Sequence, residues 1–125
     1  MIHGIGTDIV AVGRLARLLA RYGERAAARI LAPWERAELG RAREPARFLA
    51  KRWAAKEAFG KALGTGIRPP AGLTAIGIGH DALGKPCFIL APELNALLAR
   101  HRLVPHLSIS DEAEYAVAYV LLERT

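Results

Sequence analysis

The chain has 125 residues, a hydrophobic share of 52% and a formal net charge of +6, values that fit one globular domain over residues 1–125 and exclude a disordered or fibrous polymer. Its single cysteine, Cys87, excludes an intrachain disulfide framework, and no apolar run approaches the ~20 residues of a membrane span. Residues 1–62 hold 13 Lys and Arg against 6 Asp and Glu, whereas residues 63–125 hold 5 against 6, so the first half is expected to attract an anionic partner: nucleic acid, a phosphorylated ligand or an acidic protein.

The opening residues lack the basic segment and long apolar run of a secretory signal, so a soluble, cytoplasmic protein is expected. Ile2 to Val10, rich in Ile, Val and Thr, predicts a strand, and its Gly4 and Gly6 suggest a bulge or a close backbone approach. Val12, Leu15, Leu18, Leu19 and Tyr22 then recur at helical spacing, with Arg14, Arg17, Arg21 and Arg25 on the other side and Arg29 just beyond. Pro33 suits the first turn of a short helix to about Arg43. Pro45 to Leu63 is rich in Ala, Lys, Arg and Glu and stops at Gly64-Thr65-Gly66, which predicts the principal helix. Strands are expected over Leu73–Ile78 and Pro86–Leu90, with a turn at Gly84, and a second amphipathic helix over Pro92–Arg102. Val104–Ser110 and Tyr115–Leu122 complete the chain as an antiparallel hairpin. This order of strand, helices, two strands, helix and two strands is an α+β pattern, with a small antiparallel sheet expected on the long helix.

Individually, the polar residues allow ordinary readings as well as chemical ones. Glu57 and Lys61, four apart on the long helix, share a face and would suffice as a surface ion pair, or as a metal ligand and a phosphate donor. Asp8 could satisfy the backbone at a strand-to-helix corner or serve as a second carboxylate on a hard cation such as Mg²⁺, which takes one or two carboxylates with phosphate oxygens and water. Gly64 reads as a helix stop, although a glycine turn can also hold a phosphate; it is not a P-loop, because the earlier glycine and the following Ser or Thr are missing. His106, Ser108 and Ser110 share one strand face, which reads as the solvated side of a hairpin; a Ser–His nucleophile pair is disfavoured, because no strand-to-helix elbow or third member accompanies it. The arginines from 14 to 29, five against one acid, favour an acidic docking partner, and the absence of interleaved aromatics weakens a single-stranded nucleic-acid reading.

In order, these signals resemble the bacterial holo-acyl-carrier-protein synthases of the phosphopantetheinyl transferase superfamily. Three blocks carry the likeness: Gly4-Ile5-Gly6-Thr7-Asp8-Ile9-Val10 with Arg14 at the family's offset, the run from Arg52 through Trp53, Glu57, Lys61 and Leu63 to Gly64-Thr65-Gly66, and His106-Leu107-Ser108-Ile109-Ser110-Asp111, with Gly84-Lys85-Pro86 between them. The resemblance implies transfer of the phosphopantetheine arm of coenzyme A to a serine of an acyl carrier protein, in fatty acid biosynthesis. It implies that Asp8 and Glu57 hold Mg²⁺, that Glu57 helps deprotonate the attacking serine, and that Lys61 contacts the phosphate. Arg52, Lys61, Gly64, Thr65, Pro86, His106 and Ser108 would line the coenzyme A site, and Arg14, Arg17, Arg21 and Arg25 would meet the acidic carrier. A homotrimer with sites between subunits, no nucleic acid and no membrane are further implications. Gly60, where many relatives carry Ser, departs from the pattern. The rival expectation from residue types alone is a small basic nucleic-acid-binding domain, whose binding would fall steeply with salt.

Overall fold

The computed structural model describes residues 1–125. It contains strand β1 (Ile2–Ala11), helices α1 (Val12–Tyr22), α2 (Glu24–Ile30), α3 (Arg36–Arg41) and α4 (Pro45–Leu63), strands β2 (Ile76–His80) and β3 (Pro86–Leu90), helix α5 (Pro92–Arg100), and strands β4 (Leu103–Asp111) and β5 (Tyr115–Arg124). The long helix has the predicted ends. Pro45 begins it, and Gly64 ends it in the left-handed region at φ 91°, with its N–H donating to the Gly60 and Lys61 carbonyls.

Several boundaries differ from the sequence reading, among them the end of α5, which stops at Arg100 rather than Arg102. Arg25 lies on a separate helix, α2, because Gly23 at φ 55° breaks the run after Tyr22. The segment from Pro33 starts as a 3₁₀ turn (Pro33–Glu35) before α3. Leu73–Ala75 is likewise a 3₁₀ turn, so β2 starts at Ile76 and runs to His80.

Strands pair in two antiparallel sheets, β1-β5-β4 and β2-β3. The larger sheet carries α4 on one face. Strand period two puts Gly4, Gly6, Asp8 and Val10 toward the helix and leaves Ile5 and Ile9 about 60% exposed on the other side. Across that outer face the register sets Ile5 beside Leu121 and His106, Thr7 beside Tyr119 and Ser108, and Ile9 beside Val117 and Ser110. Tyr115 and Tyr119 stay half exposed there, so the face offers a contiguous apolar surface with a polar margin along β4.

Opposite, small side chains let the helix sit close. Ala54, Ala58 and Ala62 recur at four-residue spacing on buried α4, and β1 meets them with glycine. A Cβ on Gly6 would overlap the Ala58 carbonyl oxygen and one on Gly4 the Ala62 carbonyl oxygen, so strand and helix backbones touch directly. The core continues through Leu49, Phe59, Ile76, Leu94 and Leu122, and Phe59 meets Phe88 edge-on at 5.0 Å.

The interior also holds charge. Glu35 is fully buried, and its two oxygens accept four hydrogen bonds: from the Ala32 N–H at 2.7 Å, Lys56 Nζ at 2.6 Å, Arg52 at 2.8 Å and the Ile78 N–H at 3.0 Å. Lys56 Nζ donates further to the Ile30 and Leu73 carbonyls, so all three ammonium hydrogens are used. Burial pulls the Lys56 pKa down to about 8 against the opposing attraction of Glu35. This network ties α4 to the α2–α3 connection and to β2. No helix is long and apolar enough to cross a membrane.

Candidate active site

Asp8 lies two residues beyond Gly6 on the same face of β1, and Glu57 precedes Ala58 on α4. The glycine contact therefore brings the aspartate alongside the helix turn that carries Glu57 and Lys61. Lys61 Nζ donates to the Thr7 carbonyl at 2.9 Å and to Asp8 Oδ1 at 3.2 Å. Its third hydrogen has no protein acceptor, and half of its side chain faces solvent, which leaves a cationic donor for an incoming anion.

Glu57 is partly buried. Its pKa is raised, first because burial disfavours the charged carboxylate and second because the Asp8 charge repels it; Lys61 and Arg14 oppose the rise. Two carboxylates that repel one another beside a lysine form a site with unspent negative charge. No third His, Cys, Asp or Glu joins them in a metal-binding group. A hard divalent cation that keeps water and substrate oxygens as its remaining ligands fits this donor set, and Mg²⁺ behaves in that way.

The shift gives an expected result. In carboxyl-resolved NMR titrations the midpoint of Glu57 should lie above that of an ordinary glutamate. Asp8→Asn should bring it down while leaving it raised, because burial is the larger cause. The same midpoint in both proteins would show that the two carboxylates do not interact.

Arg14 adjoins the same group, with its guanidinium 5.1 Å from the centre of the Trp53 ring on α4. Arg17, Arg21 and Arg25 are exposed along α1 and α2. Between these helices and α4, Leu18, Tyr22, Ala26, Ile30 and Trp53 line a shallow cavity of about 370 Å³ with Arg25 and Arg29 at its rim. An apolar floor edged by cations is a surface for a partner with acidic and apolar side chains.

At the end of α4, Gly64 and Thr65 are exposed directly beyond Lys61. The remaining predicted residues stand apart. Pro86 and His106 share a cavity of about 150 Å³ with Asp81, Lys85 and Cys87, to which neither carboxylate nor Lys61 contributes. His106 Nε2 pairs with Glu123 at 3.0 Å, and Ser108 lies exposed opposite Tyr119. Arg52 is almost wholly buried, held by Glu35, the Ile78 carbonyl and Glu38. It lines a third recess with Arg43, Arg47, Lys51 and His80. The sequence reading did not single out Glu35 or Lys56, nor Arg43, Arg47 and Lys51 of this recess. Arg52 and Lys56 are four apart on an alanine-rich helix, which was the available sign of an inward polar stripe.

Comparison with known proteins identifies the family. The family model described as the 4′-phosphopantetheinyl transferase superfamily matches residues 4–120. A holo-[acyl-carrier-protein] synthase of Dechloromonas aromatica is 58% identical over 123 residues, covering 98% of each chain. One from Aromatoleum aromaticum is 56% identical over 124 residues, covering 99% of each. Among solved structures, the Neisseria meningitidis holo-[acyl-carrier-protein] synthase superposes with a TM-score of 0.96 at 50% identity, covering 99% of this chain and 100% of that one. The Bacillus anthracis synthase, solved in complex with CoA (3′,5′-ADP), gives 0.83 at 37% identity, with 100% and 99% covered.

Proposed function

Since the chain belongs to the 4′-phosphopantetheinyl transferase superfamily and transfers the 4′-phosphopantetheine group of coenzyme A to a serine of apo-acyl carrier protein, we propose that Asp8, Glu57 and Lys61 form its reacting centre. The observation that carries this assignment is the junction of β1 and α4, which sets two mutually repelling carboxylates beside a half-exposed lysine. Asp8 and Glu57 would hold Mg²⁺, which when bound would supply positive charge against the pyrophosphate of coenzyme A.

The carrier serine Oγ forms the new P–O bond at the phosphorus bearing pantetheine, and the bond to the departing adenosine 3′,5′-bisphosphate breaks. Phosphoryl transfer of this kind depends on positioning and charge neutralisation. Glu57 takes the serine proton through a water molecule. Lys61, held by Thr7 and Asp8, turns its free N–H to the phosphate and stabilises the leaving group.

Residues 1–125 work as one domain, and the complete site needs a second copy. Gly64 and Thr65 of one subunit and Arg52, Pro86, His106 and Ser108 of a neighbour enclose coenzyme A in a homotrimer. The exposed apolar face around Ile5, Ile9, Tyr115 and Tyr119 supports this, because it offers each subunit a surface to bury. The reaction takes place in the cytoplasm, where the exposed Cys87 thiol stays reduced.

The carrier docks on Arg14, Arg17, Arg21 and Arg25. Charge reversal at Arg14 or Arg21 should raise the KM for the carrier about tenfold and leave that for coenzyme A nearly unchanged. An unchanged carrier KM in both variants would remove α1 as the docking face. The reaction itself is tested by intact-mass analysis of apo-acyl carrier protein incubated with this protein, coenzyme A and Mg²⁺. A metal-dependent gain of one phosphopantetheine group is expected. No gain with several carriers, from folded protein that still binds coenzyme A, would refute the assignment.

A further inference from the structure

Arg52 is fixed from three sides by partners that do not depend on the recess in front of it. Its Nη1 donates to Glu35 at 2.8 Å and to the Ile78 carbonyl, and the Phe48 ring lies against its guanidinium at 4.6 Å. Glu35 and Ile78 are buried, so the side chain keeps its direction whether or not an anion is bound.

Glu38 is a different kind of partner. It accepts from Arg52 Nη2 at 3.2 Å, through a side chain that is 40% exposed and lines the recess. A guanidinium has five N–H groups, and three of those of Arg52 are engaged within the chain. Its Nε–H has no partner, and since no buried side-chain nitrogen is left unsatisfied, that edge opens to the recess. Arg47 is already engaged by Asp111 and by the Glu112 and Ala113 carbonyls, which leaves Arg52 and the exposed Arg43 as the recess arginines with hydrogens to give. A half-exposed ion pair adds little to stability, yet its carboxylate repels any phosphate drawn to Arg52.

We infer that Glu38 is a built-in competitor for the anionic part of coenzyme A: it occupies an Arg52 N–H that a ligand phosphate would take, opposes the charge of that ligand, and so limits how tightly nucleotide is retained. The inference rests on the assignment of Arg52 as a coenzyme A contact. A transferase that releases adenosine 3′,5′-bisphosphate after every turnover is served by such a limit.

Calorimetric titration of coenzyme A and of adenosine 3′,5′-bisphosphate into Glu38→Gln protein tests it. Glutamine keeps the shape and an acceptor for Arg52 and removes only the charge, so the Kd of both ligands should fall about threefold or more. Glu93→Gln, at an exposed position on α5 outside the recess, controls for the change in net charge and should match the wild type. A structural role predicts the opposite sign, because a loosened Arg52 would bind anions more weakly. A smaller fall, no change or a rise in Glu38→Gln, or an equal fall in Glu93→Gln, would overturn the inference. Arg52→Lys keeps a cation for Glu35 but loses the planar fork, and should raise the coenzyme A Kd about tenfold. An unchanged Kd in that variant, folded, would instead overturn the assignment of Arg52 on which the inference rests.

Discussion

Asp8→Asn and Glu57→Gln should each slow transfer by about 10²–10⁴-fold at saturating coenzyme A and carrier, the range expected when several kcal/mol of charge stabilisation is lost from a metal-assisted transfer. Both replacements keep the size of the side chain and remove its charge, so the helix–strand junction is preserved and the circular dichroism spectrum should not change. The two variants are distinguishable. In the proposed site Asp8 only holds the cation and anchors Lys61 at 3.2 Å, so a higher Mg²⁺ concentration should restore part of the Asp8→Asn rate. On the same proposal Glu57 also accepts the serine proton, so Glu57→Gln should stay slow at any Mg²⁺ concentration. Turnover within about threefold of wild type in either variant would remove that carboxylate from the reacting centre.

Glu35→Ala should cost about 3–5 kcal/mol of folding stability, the loss typical of breaking a buried ion pair from one side. The carboxylate neutralises two buried cations, Arg52 and Lys56, and also takes the N–H groups of Ala32 and Ile78. Without it, Lys56 keeps only two carbonyl partners, and two backbone donors lose their acceptor in a dry interior. Domains of this size have about 5–15 kcal/mol in total, so the variant should unfold at a much lower urea midpoint with a similar slope. A shift worth less than about 1 kcal/mol would mean that water or a rearranged Glu38 takes over the role. Glu35 touches no reacting group, so Glu35→Ala protein that remains folded at low temperature should retain most of its kcat, unlike the Asp8 and Glu57 variants.

Much of this architecture is legible in the sequence because its boundaries are punctuated. Pro45 and Gly64 mark the ends of α4, and the alternation from Val104 and Tyr115 onward marks the final hairpin, extended by a residue or two in the structure. The long α4 motif and the Gly-Ile-Gly-Thr-Asp strand likewise identify Asp8, Glu57 and Lys61 as a group through family resemblance. Spacing alone could not bring them together, since 49 positions separate the two carboxylates and only the packing of Gly4 and Gly6 on alanines closes the gap. The role of Glu35 was not legible for a related reason. It meets Lys56 across 21 residues of chain, and a lysine in a helix rich in Lys, Arg and Glu ordinarily faces water. The separate α2 is a smaller case, in which one glycine with positive φ outweighs a helical pattern that continues on both sides of it.

At the β1–α4 junction, no side chain lies between the main chains at Gly4 and Gly6, beside the carboxylates. Their separation is therefore fixed by van der Waals contact of peptide groups, with no rotamer to relax and no methylene to add or remove. Point substitutions can abolish that spacing but cannot adjust it gradually. Divergence toward other substrates would have to be accommodated at the periphery, in the loop beyond Gly60 and along the arginine-edged surface, while the inner geometry is inherited unchanged.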